Sequence, residues 1–265
     1  MQHKKAVNII GWIIATLTTL LYTFTQYPTI SFWDGAEFAT TSSTLQISHP
    51  PGAPFFQLLG SIIPITYLSP LFSGLSVMML YYICVYVLSR FSQMYPGIIT
   101  SSIIGALTFA VLDSQWFCAN ETDVYPLSLL LSLLSIWLTI KWTQTHRVNY
   151  LILICLILGL SLCVHQLTLL SLPAICLIIY FDKRKTNFKG ALLYLFISLL
   201  LIVLIQFLLP IFLIWILSEY AILKIIIFSL ILAFLIVVAY KKSKPILLYT
   251  ILGIIFLIIG LSIYL

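Results

Sequence analysis

An all-α integral membrane protein is the fold class this sequence predicts, and three observations carry it. Of its 265 residues 62% are hydrophobic and only 8% are charged, and the mean hydropathy is +1.15. A water-soluble domain carries about 25% charged residues, so composition alone excludes one. The net charge of +6 does not indicate nucleic acid, because Lys and Arg fall in short clusters between apolar runs, where they act as topology signals. The five cysteines include no C-x-x-C pair, and all except Cys118 lie inside apolar runs. Neither a disulfide framework nor a zinc site is supported.

The elements follow in chain order. A basic head with Lys4 and Lys5 precedes an apolar run over residues 6–24. It lacks a small-residue cleavage site and reads as an uncleaved first span rather than a signal peptide. Residues 31–57, SFWDGAEFATTSSTLQISHPPGAPFFQ, are the only long polar interval. A connection of that length carrying acids and a histidine points to a purpose beyond joining helices. Residues 51–64 are apolar but too short for a bilayer core that needs ~20 helical residues, which predicts a helix lying at the membrane surface. Further spans are expected over residues 71–88, 97–112, 124–140, 150–164, 167–181, 191–213, 222–240 and 245–264, about nine transmembrane helices in all. The short pair flanking His165 also suits a re-entrant hairpin. Two regions result: residues 1–185, with nearly all the outer polar groups, and residues 186–265, additional apolar helices with no soluble domain. There is no linker, low-complexity tract or internal repeat.

Placing the N-terminus in the cytoplasm puts Lys4, Lys5, Arg90, Lys141, Arg147, Lys183, Arg184, Lys185, Lys189, Lys241, Lys242 and Lys244 inside and leaves Lys224 outside. The same topology puts Asp34, Glu37, Asp113, Glu121, Asp123 and Glu219 outside, with Asp182 in a basic inner loop. The positive-inside rule does not account for that gathering of acids.

The outer polar groups are the candidate site. Asp34 and Glu37 have the spacing of a capping box, in which Asp34 caps a helix and Glu37 reaches back to the cap's amide. That spacing also sets two carboxylates on one helix face, where a fixed acid can act as general base toward a hydroxyl. In His49-Pro50-Pro51-Gly52, Pro50 drives His49 out of the helical region and Pro51 can open a helix, presenting the imidazole at its mouth. Glu121 and Asp123 stand just before a span, where one of them suits the helix dipole. Together with Asp113, Asp34 and Glu37 they look like the wall of a polar cavity. His165 is either a helix-end histidine bonded to a carbonyl or a ligand for an anionic headgroup.

These stretches carry a resemblance. F-W-D-x-x-E-F followed by L-Q-x-x-H-P-P-G-A-P, then W-x-x-x-x-E-x-x-V-Y, then G-L-S-x-x-V-H-x-L-x-L-L-x-x-P-A, resembles the domain-of-unknown-function 2723 family, which includes transmembrane O-mannosyltransferases, over roughly residues 9–181. Here Gly35 follows the aspartate and Ala36 precedes Glu37, whereas that family usually has glycine directly before the glutamate. The resemblance implies a glycosyltransferase of the GT-C class, with a long first outer loop, that moves a sugar, mannose by this family's habit, from a polyprenyl-phosphate donor in the bilayer to a protein Ser/Thr hydroxyl. The site would face the periplasm of a bacterial inner membrane. Carried over, Asp34 is the base and Glu37 its companion, with His49, Glu121, Asp123 and His165 around donor phosphate and acceptor. Charge on the departing phosphate would fall to His49, His165, helix N-termini or a divalent cation held by the carboxylates, and the sequence leaves these open. The implied partners are the lipid-linked sugar, a peptide acceptor and membrane lipid, with no nucleic acid. The competing readings are a lipid-linked sugar flippase or transporter, and an inactive shortened paralogue acting as a subunit. Transporters keep ionisable groups near the midplane and use repeats, whereas these acids lie at span ends.

Overall fold

The computed structural model describes residues 2–29, 33–50, 52–183, 186–241, 245–261 and 263. Among them the regular structure is helix alone: α1 Gln2–Phe24, α2 Gly35–Thr44, α3 Pro54–Ile62, α4 Leu68–Leu88, α5 Tyr95–Ala110, α6 Asp113–Asn120, α7 Tyr125–Thr145, α8 Val148–Leu162, α9 Leu172–Lys183, α10 Phe188–Leu217, α11 Ala221–Lys241 and α12 Pro245–Leu261, with 3₁₀ segments at Ile65–Tyr67 and Gln166–Ser171. Proline in the first turn opens α3, α5, α7, α9 and α12, where the missing N–H costs nothing.

Every apolar segment expected to span is helical, but length separates them. Among the described residues four stretches are long and apolar enough to cross a membrane: Lys5–Phe24, Ile65–Leu88, Tyr125–Thr145 and Phe188–Leu208. A fifth follows if α5 and α6, bent by 61° at their junction, form one broken span. The remaining apolar stretches among the described residues, Val148–Leu162, Gln166–Asp182, Ile222–Val238 and Leu247–Leu261, run 10–17 residues. The 15 residues of α8 reach ~22 Å at 1.5 Å each, short of the ~30 Å hydrocarbon core. Length and composition therefore support, among the described residues, four or five of the nine expected crossings.

The chain forms two compact units. The first comprises Met1–Trp137 and Cys163–Gln166. Its core joins Ile14 and Tyr22 of α1, Val77 and Tyr81 of α4, Ala106 and Ala110 of α5, and Ala119 of α6. Small residues on α5 and α6 let these helices approach closely, as apolar bundles require where lipid offers no hydrophobic drive. The bend after α5 frees its last carbonyls, and the buried Tyr22 hydroxyl donates to one of them, Ala110, at 2.7 Å. The edge of the Tyr22 ring meets Trp116 of α6 at 5.7 Å.

The second unit comprises Leu138–Leu162 and Leu167–Leu265. Here α8 and α12 touch backbone to backbone: a Cβ on Gly159 would lie 2.2 Å from the Leu257 carbonyl oxygen and 3.0 Å from Gly260 Cα. Only glycine permits that approach. Asn187 caps α10 by accepting the Gly190 amide at 2.6 Å, and Tyr180 packs on Tyr194 at 4.8 Å. His146 Nδ1 lies 3.6 Å from Asp182 Oδ2. Leu192, Leu193, Phe196 and Leu199 of α10 are exposed apolar residues, the kind of surface a helix presents to lipid.

Candidate functional site

The polar interval folds into a hairpin of two short helices within the first unit. Asp34 stands at the N-cap of α2, yet its side chain makes no capping bond. Glu37 turns away from the cap: its carboxylate accepts the backbone N–H of His49 and lies 2.8 Å from His49 Nδ1. The capping box is therefore not formed, because one residue twelve positions on offers Glu37 two donors where the cap offers one. The His49 amide and imidazole hold the Glu37 carboxyl below its ordinary range. In return the Glu37 hydrogen bond raises the His49 pKa, and the charges of Asp34 and Asp123 add to it. His49 Nε2 lies 3.9 Å from Asp34 Oδ2, so the imidazole sits between two carboxylates.

The hairpin itself fixes His49. Leu45 ends α2 in the left-handed region at φ 52°, and the Gly52 amide closes a turn on the His49 carbonyl at 2.8 Å. Gly52 has φ +81°, which halts helix formation there. The helix expected to begin at Pro51 accordingly begins at Pro54; Pro51 itself lies outside the described residues. Across the hairpin Gln57 Nε2 donates to Thr41 Oγ1 at 2.7 Å. Phe38 packs edge-on against Phe56 at 5.6 Å and beside the His49 ring at 6.2 Å.

Two further stretches close the site. The buried Ser69 hydroxyl of α4 accepts the Asp123 N–H at 3.1 Å and donates to the Asp123 carbonyl at 3.3 Å, pinning that residue's backbone. The Asp123 carboxylate accepts the Val124 N–H at the start of α7, the helix-start role foreseen for one acid of this pair. Burial pushes the Asp123 pKa up to about 6, and the Val124 amide offsets this only in part. The Phe55 amide of α3 donates to the Cys163 carbonyl at 3.0 Å, which brings His165 to the hairpin. The His165 ring lies 5.2 Å from that of Tyr125, and burial lowers its pKa. It is therefore neutral at pH 7.

The outcome is a cleft of about 130 Å³ whose polar lining is Asp34, Ser48, His49, Asp123, Tyr125 and His165. Four of the six residues singled out in the sequence thus line one cleft, and Glu37 adjoins it through His49. Glu121 does not line it; that residue is buried elsewhere in the same connection, with its carboxyl raised by desolvation. Asp113 is exposed on α6. The acidic wall reduces to Asp34 and Asp123. Ser48 was missed: it is 4% exposed, and its hydroxyl has no hydrogen-bond partner among the described residues. Its only sequence signal is its place directly before His49. As for a cation, Asp34, Glu37 and His49 each offer a ligand atom within 4.8 Å of the others. Glu37 already holds His49, so coordinating a metal there means exchanging that bond.

A family described as the protein O-mannosyl-transferase TMEM260 N-terminal domain matches residues 34–188, from the first carboxylate of the cleft past His165 to the start of α10. The chain belongs to this family. A protein O-mannosyl-transferase tmem260 from Dictyostelium discoideum is 41% identical over 44 residues, which is 17% of this chain and 5% of that protein. No solved structure matches. The TMEM260 family match bears out the O-mannosyltransferase side of the sequence resemblance, under this family's name rather than as domain-of-unknown-function 2723.

Proposed function

We propose that the chain is a protein O-mannosyltransferase of GT-C type that uses a polyprenyl-phosphate mannose. The observation that carries this is the convergence of Asp34, His49, Asp123 and His165, from separate stretches of chain, on one cleft beyond the ends of α4 and α7, in a member of the TMEM260 N-terminal domain family. In the reaction an acceptor Ser or Thr oxygen forms a bond to the sugar's anomeric carbon as the bond from that carbon to phosphate oxygen breaks. Asp34 takes the hydroxyl proton, and the electron pair leaves on the phosphate. His49, whose partnership with Glu37 favours its protonated form, faces the departing anion, while His165 and Asp123 orient donor and acceptor. Glu121 supports the segment that carries Asp123. A cation held by Asp34, Glu37 and a neutral His49 would supply the charge for the leaving group in place of the imidazolium. The cleft is smaller than the ~300–1,000 Å³ of a whole-ligand pocket, which suits the reacting end of a donor whose isoprenoid tail stays in lipid.

Residues 1–185 form the catalytic membrane core and residues 186–265 add membrane helices. The charge asymmetry supports a site on the non-cytoplasmic face, which in a bacterial inner membrane is the periplasmic one. The test supplies reconstituted protein with polyprenyl-phosphate mannose and a Ser/Thr peptide. Mannosylated peptide is expected; movement of the lipid-linked sugar across the bilayer without transfer would favour the flippase instead. In a cysteine-free background, a cysteine at position 43 should label from outside and one at 189 should not.

A further inference from the structure

A second cleft of about 130 Å³ lies in the first unit, and nothing in the proposed reaction uses it. It is bounded by the chain leaving α1, by the Ile65–Tyr67 turn and by the connection after α6, and its polar lining is Gln26, Tyr27, Thr29, Thr66, Asn120 and Thr122. Two carboxamides, three hydroxyls and a phenol make a lining with no charged group. It therefore offers no counter-charge to a phosphate or a carboxylate and selects a neutral ligand rich in hydroxyls. A carboxamide donates and accepts at adjacent atoms, the pattern that vicinal hydroxyls of a pyranose satisfy.

The Thr25 hydroxyl donates to the Leu21 carbonyl at 2.9 Å and only approaches Asn120 Oδ1, at 3.4 Å, so the Asn120 carboxamide brings both a donor and an acceptor to the cleft. The Gln26 amide is held by one of its halves. Gln26 Nε2 donates to the Thr66 carbonyl, which leaves its oxygen to accept. Asn120 and Thr122 are both only 7% exposed, so their polar groups serve the cleft rather than open solvent. Tyr27 is 52% exposed and presents a broad apolar face beside them. The segment from Asn120 to Val124 also supplies the first cleft: Thr122 lines the second and its neighbour Asp123 lines the first. Glu121 is extended at φ −92°, ψ 150°, and alternate side chains of an extended segment point opposite ways.

We propose that this second cleft is a binding site for a neutral hexopyranose, separate from the sugar undergoing transfer and one residue along the chain from the reacting groups. Binding is read without turnover, so the inference stands or falls apart from the transferase reading. The experiment measures methyl α-mannopyranoside binding to the full chain in detergent by saturation-transfer NMR. Saturable binding is expected that 10-fold more inorganic phosphate does not displace. Thr122→Val, which keeps the side chain's shape and loses its hydroxyl, should weaken binding roughly tenfold, as should Tyr27→Ala. Asn120→Ala should do the same, and Thr122→Val serves where Asn120→Ala fails to fold. Displacement by phosphate would place the sugar in the first cleft and overturn the proposal. Equal displacement by glycerol, or wild-type binding by Thr122→Val and Tyr27→Ala, would overturn it as well.

Discussion

Asp34→Asn separates proton transfer from helix initiation more cleanly than the sequence alone promised. The Asp34 side chain makes no bond to the first turn of α2, and asparagine is as good an N-cap residue as aspartate. What the substitution removes structurally is a contact to His49 at 3.9 Å between side chains that are 49% and 50% exposed. Such a pair contributes at most about 1 kcal/mol. A general base, by contrast, supplies ~100- to 10,000-fold in rate, or about 2.7–5.5 kcal/mol on the barrier. The two scales do not overlap. The variant should therefore insert, fold and melt like the parent while initial rates of mannose transfer to a Ser/Thr peptide fall at least about 100-fold. A rate within about threefold of the parent would refute the assignment and move the base to Asp123, the other carboxylate of the cleft.

Three further outcomes are expected. The folded Asp123 keeps its proton up to about pH 6, against 3.8 for a free carboxyl, so stability falls as pH rises through that window and stays lower above it, by roughly 3 kcal/mol. Asp123→Asn retains the acceptor for Val124 and should raise the melting temperature at pH 8 but not at pH 3.5; no gain at pH 8 would sink this account. Glu37→Gln keeps a hydrogen bond to the His49 amide but loses the charge, so the His49 pKa should fall toward the ordinary imidazole value, read by NMR titration of the ring. Gly159→Val drives a side chain into the Leu257 carbonyl and should destabilise the α8–α12 pair by about 1–3 kcal/mol, seen as a lower melting temperature in detergent.

The helices were legible because apolar runs bounded by proline and charge admit little else: all nine expected spans are helices, and the DGAE start of α2 was visible in its spacing. The span count was only half legible: the expected segment 150–164 was already short enough to suit a re-entrant hairpin, and α8 has 15 residues, but a run of apolar residues does not say which such segments cross. Nor was α6 foreseen, because its eight residues, DSQWFCAN, set three polar residues before a block of apolar ones and so show no helical face. Within the site, Asp34, His49, Asp123 and His165 could be nominated as polar groups at helix ends. The partnership of Glu37 with His49 could not, because a local cap and a contact twelve residues away compete for one carboxylate and only the hairpin decides between them. Ser48 was hidden for a related reason: a serine in a serine-rich interval carries no signal until burial leaves its hydroxyl alone.

The bond between Ser69 and Asp123 also sets a height. Ser69 is the second residue of α4, whose 21 residues measure ~32 Å at 1.5 Å each, close to the thickness of the hydrocarbon layer. The acid of the cleft is thus hung from the rim of a membrane-crossing rod rather than carried on a loop free to ride up or down. In the proposed reaction a donor anchored by its tail would present its phosphate at one level, where hydrocarbon gives way to headgroups. Adding one residue to α4 below Ser69 would lift the carboxyl by about 1.5 Å relative to that level, so this helix acts as the depth gauge of the site and its length, more than its sequence, is the quantity to conserve.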